Sequence, residues 1–402
     1  MNKISSKIIL IIIISFIFRI LLSFLPSFEG DESAFRFWSA KLVEFGPQNF
    51  YYRDFFTNNP IGFFYVLWFI GLVKTILFPS LSFFSKDYDL LLKFPSNLAD
   101  ILTGIFIYLI VKKRLGNGWG ILGFIFYVFN PAVFFNTSIW GQYDGLATLF
   151  LVLSSYILLF RNNPELSIVP FAVALTLKPQ AIAFGPALLI IIVTHHKFLR
   201  WIKTILYFII TVTIIYFPFF PTNPFYGLIH TNTRSLELFN CTTCFAFNFW
   251  GVFGNWKNDL VIFLNIPLLF WGIILLIVSY VVIFFIKLNN AIFKIPYIYL
   301  TVALSLYAFF IFLTRIHERY LFPFFAFFLL GASILKSKFL LLIYCIVSLL
   351  FLLNMYLPYN YFNHNLNYQA DLARILANNF ESLSIISVAV FLIALFYYKY
   401  KL

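Results

Sequence analysis

The chain has 402 residues, 62% of them hydrophobic and only 11% charged, with a formal net charge of +13. A soluble domain carries about 25% charged residues, so this composition excludes a soluble globular protein. The Lys and Arg residues sit in short loops between apolar runs, where they set membrane orientation, which removes nucleic acid as the reason for the positive charge.

The first apolar run, at 8–25, follows Lys3 and Lys7 and superficially matches a secretory signal. It exceeds the usual ~7–15 apolar residues, and no small-residue cleavage site follows, so it reads as a retained first helix. Apolar runs near the roughly 20 residues that cross a bilayer then recur along the chain. Hydropathy and loop charge together predict an all-α polytopic membrane protein with about twelve transmembrane helices (eleven to thirteen). They fall at 8–26, 93–111, 118–138, 144–160, 166–178, 180–195, 201–219, 258–286, 295–314, 320–335, 338–357 and 382–398.

One further apolar segment, 61–78, has Lys74 as its single charge and is long enough to span. If it lies flat or re-enters, the loops on the N-terminal side of the membrane carry fifteen Lys/Arg and one acid, Glu165. If it crosses, every later basic cluster changes sides. The positive-inside rule therefore keeps 61–78 from crossing and places both termini in the cytoplasm. Fourteen of the fifteen acids then fall to the outer face, which has a long loop 27–92, a second loop 221–257, a third at 356–381 and three short turns at 140–144, 178–180 and 315–320. The chain reads as one transmembrane domain, 1–402, with its function on that outer surface.

Four charged strings could carry chemistry, because ionisable groups at the mouths of membrane helices are costly. Glu29-Gly30-Asp31-Glu32 follows the first helix. Its carboxylates can serve as a general base, bind a metal, or be ordinary solvated acids, and Gly30 would allow a tight turn at the membrane surface. Trp140-Gly141-Gln142-Tyr143-Asp144 opens the fourth span, where Asp144 alone could be a helix cap. Lys178-Pro179-Gln180 interrupts an apolar stretch: the proline breaks the helix, and the lysine either snorkels or faces a phosphate. Arg315-Ile316-His317-Glu318-Arg319-Tyr320 is too dense for an interfacial anchor alone, and paired guanidiniums suit phosphate. In the loop before it, Asn248, Trp250 and Trp256 could meet a sugar or line a lipid groove. The same loop carries Cys241-x-x-Cys244, which fits a disulfide in an oxidising compartment better than zinc, since no second ligand pair lies nearby.

Six strings in order carry a resemblance: Gly30-Asp31-Glu32, Lys93-Phe94-Pro95-Ser96-Asn97-Leu98-Ala99-Asp100, Asn130-Pro131 with Trp140-Gly141-Gln142-Tyr143-Asp144, Lys178-Pro179-Gln180, Ala246-Phe247-Asn248-Phe249-Trp250-Gly251, and His317-Glu318-Arg319-Tyr320-Leu321-Phe322-Pro323. Spread over about 300 residues, they resemble the GT-C superfamily of integral-membrane glycosyltransferases. The likeness is greatest to prokaryotic mannosyltransferase-like proteins related to the second mannosyltransferase of GPI-anchor synthesis. The resemblance implies a GT-C fold with short helices lying along the membrane in the first external loop, and transfer of a sugar from a polyprenyl-phosphate carrier on the outer face. It assigns the general base to Asp31, with Glu32 able to share the role. Lys178, Arg315, His317 and Arg319 fall to the donor phosphate, and Arg36, Gln142, Asp144, Gln180, Asn248, Trp250 and Glu318 to the substrate cavity. GT-C members often carry D-x-D or D-D where this chain has Asp31-Glu32, so a divalent metal is left open, with Asp31, Glu32 and Asp144 its candidate ligands.

The mechanism expected on this basis is an inverting displacement at the anomeric carbon of a hexose, mannose by the family's label, onto an acceptor hydroxyl of a glycolipid, polymer or protein. The alternative is a transporter or flippase of lipid-linked sugars. Transporters typically show internal repeats and midplane sites, and neither is visible here.

Overall fold

The computed structural model describes residues 6–51, 53, 56–57, 59–285, 294–363 and 370–401. Lys3, Lys287 and the middle of the third outer loop, 364–369, lie outside the described residues. The described chain is overwhelmingly helical and divides into two compact units.

The first unit comprises Met1–Leu102, Asn136–Ile182 and Leu188–Leu238. It holds α1 (Ser6–Ser23), α2 (Glu29–Phe50), α3 (Ile61–Leu77) and the first half of α4 (Tyr88–Leu115). The intervening α5 (Asn117–Val128) and α6 (Pro131–Phe134) belong to the second unit and lead into a π-helical turn, Phe135–Trp140. The first unit resumes along that turn with α7 (Asp144–Arg161), α8 (Pro164–Leu177), a 3-10 turn at Pro179–Phe184, most of α9 (Gly185–His195), α10 (Phe198–Tyr216) and α11 (Pro224–Glu237). The second unit contains α12 (Leu268–Phe285), α13 (Ile295–Phe312), α14 (Phe324–Ile334), α15 (Lys338–Phe362), α16 (Ala370–Asn378) and α17 (Phe380–Tyr400). It also has four two-residue strands: β1 (Thr243–Cys244) runs parallel to β4 (Ile316–His317), and β2 (Ile262–Phe263) antiparallel to β3 (Ile266–Pro267).

Helices α1, α4, α7, α10, α12, α13, α15 and α17 are long and apolar enough to cross a membrane, and α5 with α6 and the π-helical turn is an apolar pair bent by 45°, the geometry of a broken span or a re-entrant loop. Each expected span overlies a helix or this bent pair. Those at 166–178, 180–195 and 320–335 are shorter apolar helices; proline at 179 and 323 cannot continue a helix and shortens them. The segment expected at 258–286 becomes helical only at Leu268. Before it the chain folds back on itself as the β2–β3 hairpin, turned by Leu264 and Asn265 in the left-handed region (φ 51° and 61°). Asp100, counted among the outer-face acids, lies inside α4 and is fully buried.

In the first unit, α2 buries Glu32, Phe35, Arg36, Ser39 and Leu42 along one face, the three- and four-residue spacing of a helical stripe. Gly46 (φ 70°) and Pro47 then kink the helix. That face packs on α3, where Gly71 lets the helices close up: a β-carbon there would stand 2.7 Å from Val43 Cγ2 and 2.8 Å from Ser39 Oγ. The Ser39 hydroxyl donates to the Leu67 carbonyl at 2.7 Å and lies 2.6 Å from the Tyr88 hydroxyl. Gly62 performs the same service against α8, where a β-carbon would meet the Thr176 backbone at 2.7 Å. Phe35, Trp38, Phe63, Phe64, Leu67, Tyr143 and Phe219 fill the core between these helices. With 17 residues, α3 measures about 26 Å along its axis, short of the ~30 Å hydrocarbon core.

Backbone cannot yield as a side chain does, so Gly62→Ala should destabilise the protein by about 1–3 kcal/mol. The expected readout is a lower unfolding temperature in detergent, with Gly118→Ala, which meets open space, as the neutral control. Equal unfolding temperatures for the two variants would contradict this packing.

Candidate active site

Three helix ends converge in the first unit: the N-termini of α2 and α7 and the C-terminus of α8. Asp31 and Glu32 lie in the first turn of α2 and Asp144 opens α7, where the helix dipole favours negative charge; Lys178 follows the last turn of α8, where it favours positive charge. Gly30 is an ordinary helical residue within α2, not the tight turn expected. The position that does need glycine is Gly141, with φ 93° and a β-carbon site only 1.7 Å from Glu32 Oε1.

Asp31 is half-buried, and its Oδ2 accepts from the Trp140 indole N–H at 2.8 Å and from the Gln142 amide. The Gln142 amide orientation is set from its other end, where Oε1 accepts from Lys178 Nζ at 3.0 Å. Trp140 is stacked against Phe28 at 4.7 Å, and its carbonyl accepts from the Phe28 N–H. Asp144 does not cap its helix, since Tyr143 occupies the cap position without a side-chain bond. Its carboxylate instead meets Lys178 Nζ at 3.4 Å and accepts from Gln180 and Asn136, both at 3.3 Å. Lys178 is buried rather than snorkelling, and its ammonium stands 3.7 Å from the centre of the Tyr143 ring, which stacks on Phe63 at 3.5 Å.

Behind this cluster, Arg36 grips Asp89 through two parallel bonds of 2.6 Å and reaches Glu29 at 3.1 Å. Glu32 is fully buried and neither of its oxygens has a hydrogen-bond partner. Burial, then the nearby charge of Asp89, push its carboxyl well above the usual range, with Lys93 and Arg36 acting against them. Such a group is held toward its neutral form. Among the described residues no three His, Cys, Asp or Glu side chains come together in a group that could hold a metal ion. Asp31 and Asp144 are engaged by amide, indole and ammonium donors, and Glu32 is held toward its neutral form, so the three do not fit a metal here.

The second unit organises the remaining strings. Cys241 and Cys244 are joined in a disulfide, and the β1 strand they bracket pairs with β4, so that the Arg315 N–H donates to the Cys241 carbonyl at 2.8 Å. Arg315 is ion-paired with Asp259 at 2.7 Å. Arg319 pairs with Glu318 at 2.7 Å, and His317 Nδ1 lies 3.8 Å from the same carboxylate. Burial pushes Glu318 up, but Arg319 and His317 more than offset it and hold it below the usual carboxylate range. Asn248 and Trp250 are buried: Asn248 Oδ1 accepts from the Gly251 N–H at 3.1 Å, and the Trp250 indole donates to the Phe312 carbonyl at 2.7 Å.

The structure thus gathers Asp31, Glu32, Arg36, Gln142, Asp144, Lys178 and Gln180 in the first unit, and Asn248, Trp250, Arg315, His317, Glu318 and Arg319 in the second. The sequence reading passed over Arg19, Asp89 and Asn136 in the first and Asp259 in the second, and gave no role to Lys93 and Asp100 beyond their place in the string 93–100. A lone arginine inside the first apolar run and a lone aspartate inside the second were the available signal, since opposite charges within spans tend to pair.

A family model described as dolichyl-phosphate-mannose-protein mannosyltransferase matches residues 60–224. That stretch contains Gln142, Asp144, Lys178 and Gln180, while Asp31 precedes it and the second unit's charged turn follows it. No curated protein matches the chain. The match, with the run of long apolar helices, supports a multi-pass membrane glycosyltransferase of the GT-C type, mannosyltransferase-like in character.

The Glu32 environment has a measurable consequence. Well below the ordinary carboxylate range the group is neutral in the folded and unfolded chain alike. As pH rises past that range the unfolded chain releases the proton while the folded chain retains it, so the native state loses stability up to its own raised pKa. Glu32→Gln removes this loss. Its unfolding temperature relative to the wild type should climb as pH rises above the ordinary carboxylate range; a difference independent of pH would contradict the assignment.

Proposed function

We propose that this chain moves a hexose, mannose by the family's label, from a polyprenyl-phosphate carrier to an acceptor hydroxyl on the outer face of the membrane, with Asp31 as general base. The observation that carries the reading is the state of the Asp31 carboxylate. Two donors fix Oδ2, and Oδ1, which carries no hydrogen bond among the described residues, is left for a substrate hydroxyl. A base must be positioned before it is basic, and Trp140 and Gln142 supply the positioning.

In the reaction, the acceptor hydroxyl gives its proton to Asp31 as its oxygen attacks the anomeric carbon. The bond to the carrier phosphate breaks on the opposite side of the sugar, and the anomeric configuration inverts. Phosphate is already ionised at neutral pH and needs no general acid to leave. Lys178, linked to Asp31 through Gln142, is the cation of the first unit placed to favour negative charge nearby. The donor-phosphate roles of Arg315, His317 and Arg319, the cavity roles of Arg36, Asn248, Trp250 and Glu318, and the kinship to the second GPI mannosyltransferase rest on the sequence resemblance. So does the description of the whole chain as one GT-C domain. The positive-inside count supports about twelve crossings, cytoplasmic termini and a first outer loop in which α2 and α3 do not cross.

Asp31→Asn keeps the shape and the acceptor oxygen that Trp140 and Gln142 require, and removes the basicity. Transfer from a polyprenyl-phosphate hexose should fall by about 10²–10⁴-fold with folding unchanged; a variant with near-normal transfer would sink the assignment.

A further inference from the structure

We propose that the buried ion pair of Arg19 and Asp100 is a positioning device for the base. It sets the π-helical turn Phe135–Trp140 in the one arrangement that delivers Trp140 and Gln142 to Asp31. The inference rests on the reading of Asp31 as general base and extends it to two residues of α1 and α4.

Both members of the pair are fully buried, with Arg19 Nη1 and Asp100 Oδ2 2.7 Å apart. The pair fastens onto the side chains of the π-helical turn. Arg19 donates to the Thr137 hydroxyl at 2.9 Å and to Ser138 at 3.4 Å, and Thr137 donates in turn to Asp100 Oδ2 at 2.7 Å. Asn97, one helical turn before Asp100, completes the ring: its Oδ1 accepts from Ser138 at 2.6 Å, and its amide donates to Ser23 Oγ at 2.9 Å. Ser23 itself donates back to the Arg19 carbonyl at 2.8 Å. The turn is therefore held to α1 and α4 through consecutive side chains, Thr137 and Ser138.

From Ser138 to Trp140 is two residues, and from Trp140 to Gln142 two more. Any rotation of the turn about its axis moves both donors of Asp31 together. The turn is also tied forward, since the Asn136 carbonyl accepts from the Gln142 N–H at 2.9 Å and the Asn136 amide donates to Asp144. Gly145 at the start of α7 leaves room for Asp100, where a β-carbon would stand 2.6 Å from Oδ1.

A purely structural purpose explains this poorly. Withdrawing two charges from water costs several kcal/mol per ion, and apolar replacements of similar volume are often neutral or stabilising. What apolar side chains cannot reproduce is directional bonding to two adjacent hydroxyls, which is what fixes a π-helical turn, a feature frequent at functional sites. Neither Arg19 nor Asp100 touches Asp31, so their role is to position.

The test uses the purified full-length chain in lipid nanodiscs and two variants. Asp100→Asn removes the anion of the pair, and Thr137→Val keeps both charges but cuts their hold on the turn, so it carries the test if the first fails to fold. Ultraviolet resonance Raman spectra, taken as differences against Trp140→Phe, report the indole N–H bond of Trp140 directly. In the folded variants that band should move toward a weaker hydrogen bond, while kcat for sugar transfer falls by up to about 100-fold and KM for the donor stays within about twofold. An unchanged Trp140 band would overturn the proposal, whatever happens to stability. A shifted band with undiminished kcat would leave the positioning standing and sink the reading of Asp31 as the base, so the two failures are distinguishable.

Discussion

A carboxylate at the start of a helix, in a chain with so few polar groups to spare, must find its partners on other segments, and Asp31 finds them in the Trp140–Asp144 turn. One oxygen accepts from Trp140 and Gln142, and Gln142 is oriented in turn by Lys178. That small chain of bonds sets much of the geometry of the first unit. It draws the N-terminus of α2 against the N-terminus of α7 and the C-terminus of α8, brings Gly141 so close to Glu32 that no side chain would fit, and demands the π-helical turn that precedes it. The apolar core of Phe35, Phe63, Tyr143 and their neighbours packs beneath. Hydrophobic burial holds the helices together; the polar bonds decide their register.

Several buried ionisable groups of the first unit form matched sets. Arg19 goes with Asp100, Arg36 with Asp89 and Glu29, and Lys178 with Asp144. Lys93 donates to the Ser23 and Leu25 carbonyls at the end of α1, both at 3.0 Å, which satisfies acceptors that a helix terminus leaves open. Glu32 stands apart as a carboxyl without a hydrogen bond, pushed toward its neutral form by burial and by the charge of Asp89. In the second unit the charged turn of Arg315–Arg319 is likewise matched, to Asp259 and to its own Glu318, and is held in place by the strand pairing of the disulfide loop.

The helices were legible because long apolar runs leave the backbone no other way to satisfy its hydrogen bonds in a membrane. Each expected span overlies helix for most of its length, and the strings at 29–32, 140–144 and 178–180 come together in the first unit. Their internal logic was not legible. Arg36 bonds Asp89 across 53 positions and Arg19 bonds Asp100 across 81, and nothing local distinguishes those partners from others of the same charge. The demanding glycine was expected beside the acids at Gly30, but the strained backbone lies at Gly141, because the chain must turn where Glu32 is already buried. The hairpin at 262–267 reads as apolar helix in any hydropathy window, and only the left-handed Leu264 and Asn265 reveal it. Asp100 was assigned to a surface because solvation is the ordinary fate of an acid, and its burial is understandable only once Arg19 is beside it.

Transfer of sugar from a lipid phosphate is the proposed activity. The most direct measurement reconstitutes the purified protein in liposomes and adds, one at a time, a panel of radiolabelled polyprenyl-phosphate hexoses together with membrane extract as a source of acceptors. Label from one donor should leave the carrier and appear in a glycolipid, polymer or protein. Label that stays on its carrier across the panel, and merely changes leaflet, would contradict it and identify a transporter of lipid-linked sugars instead.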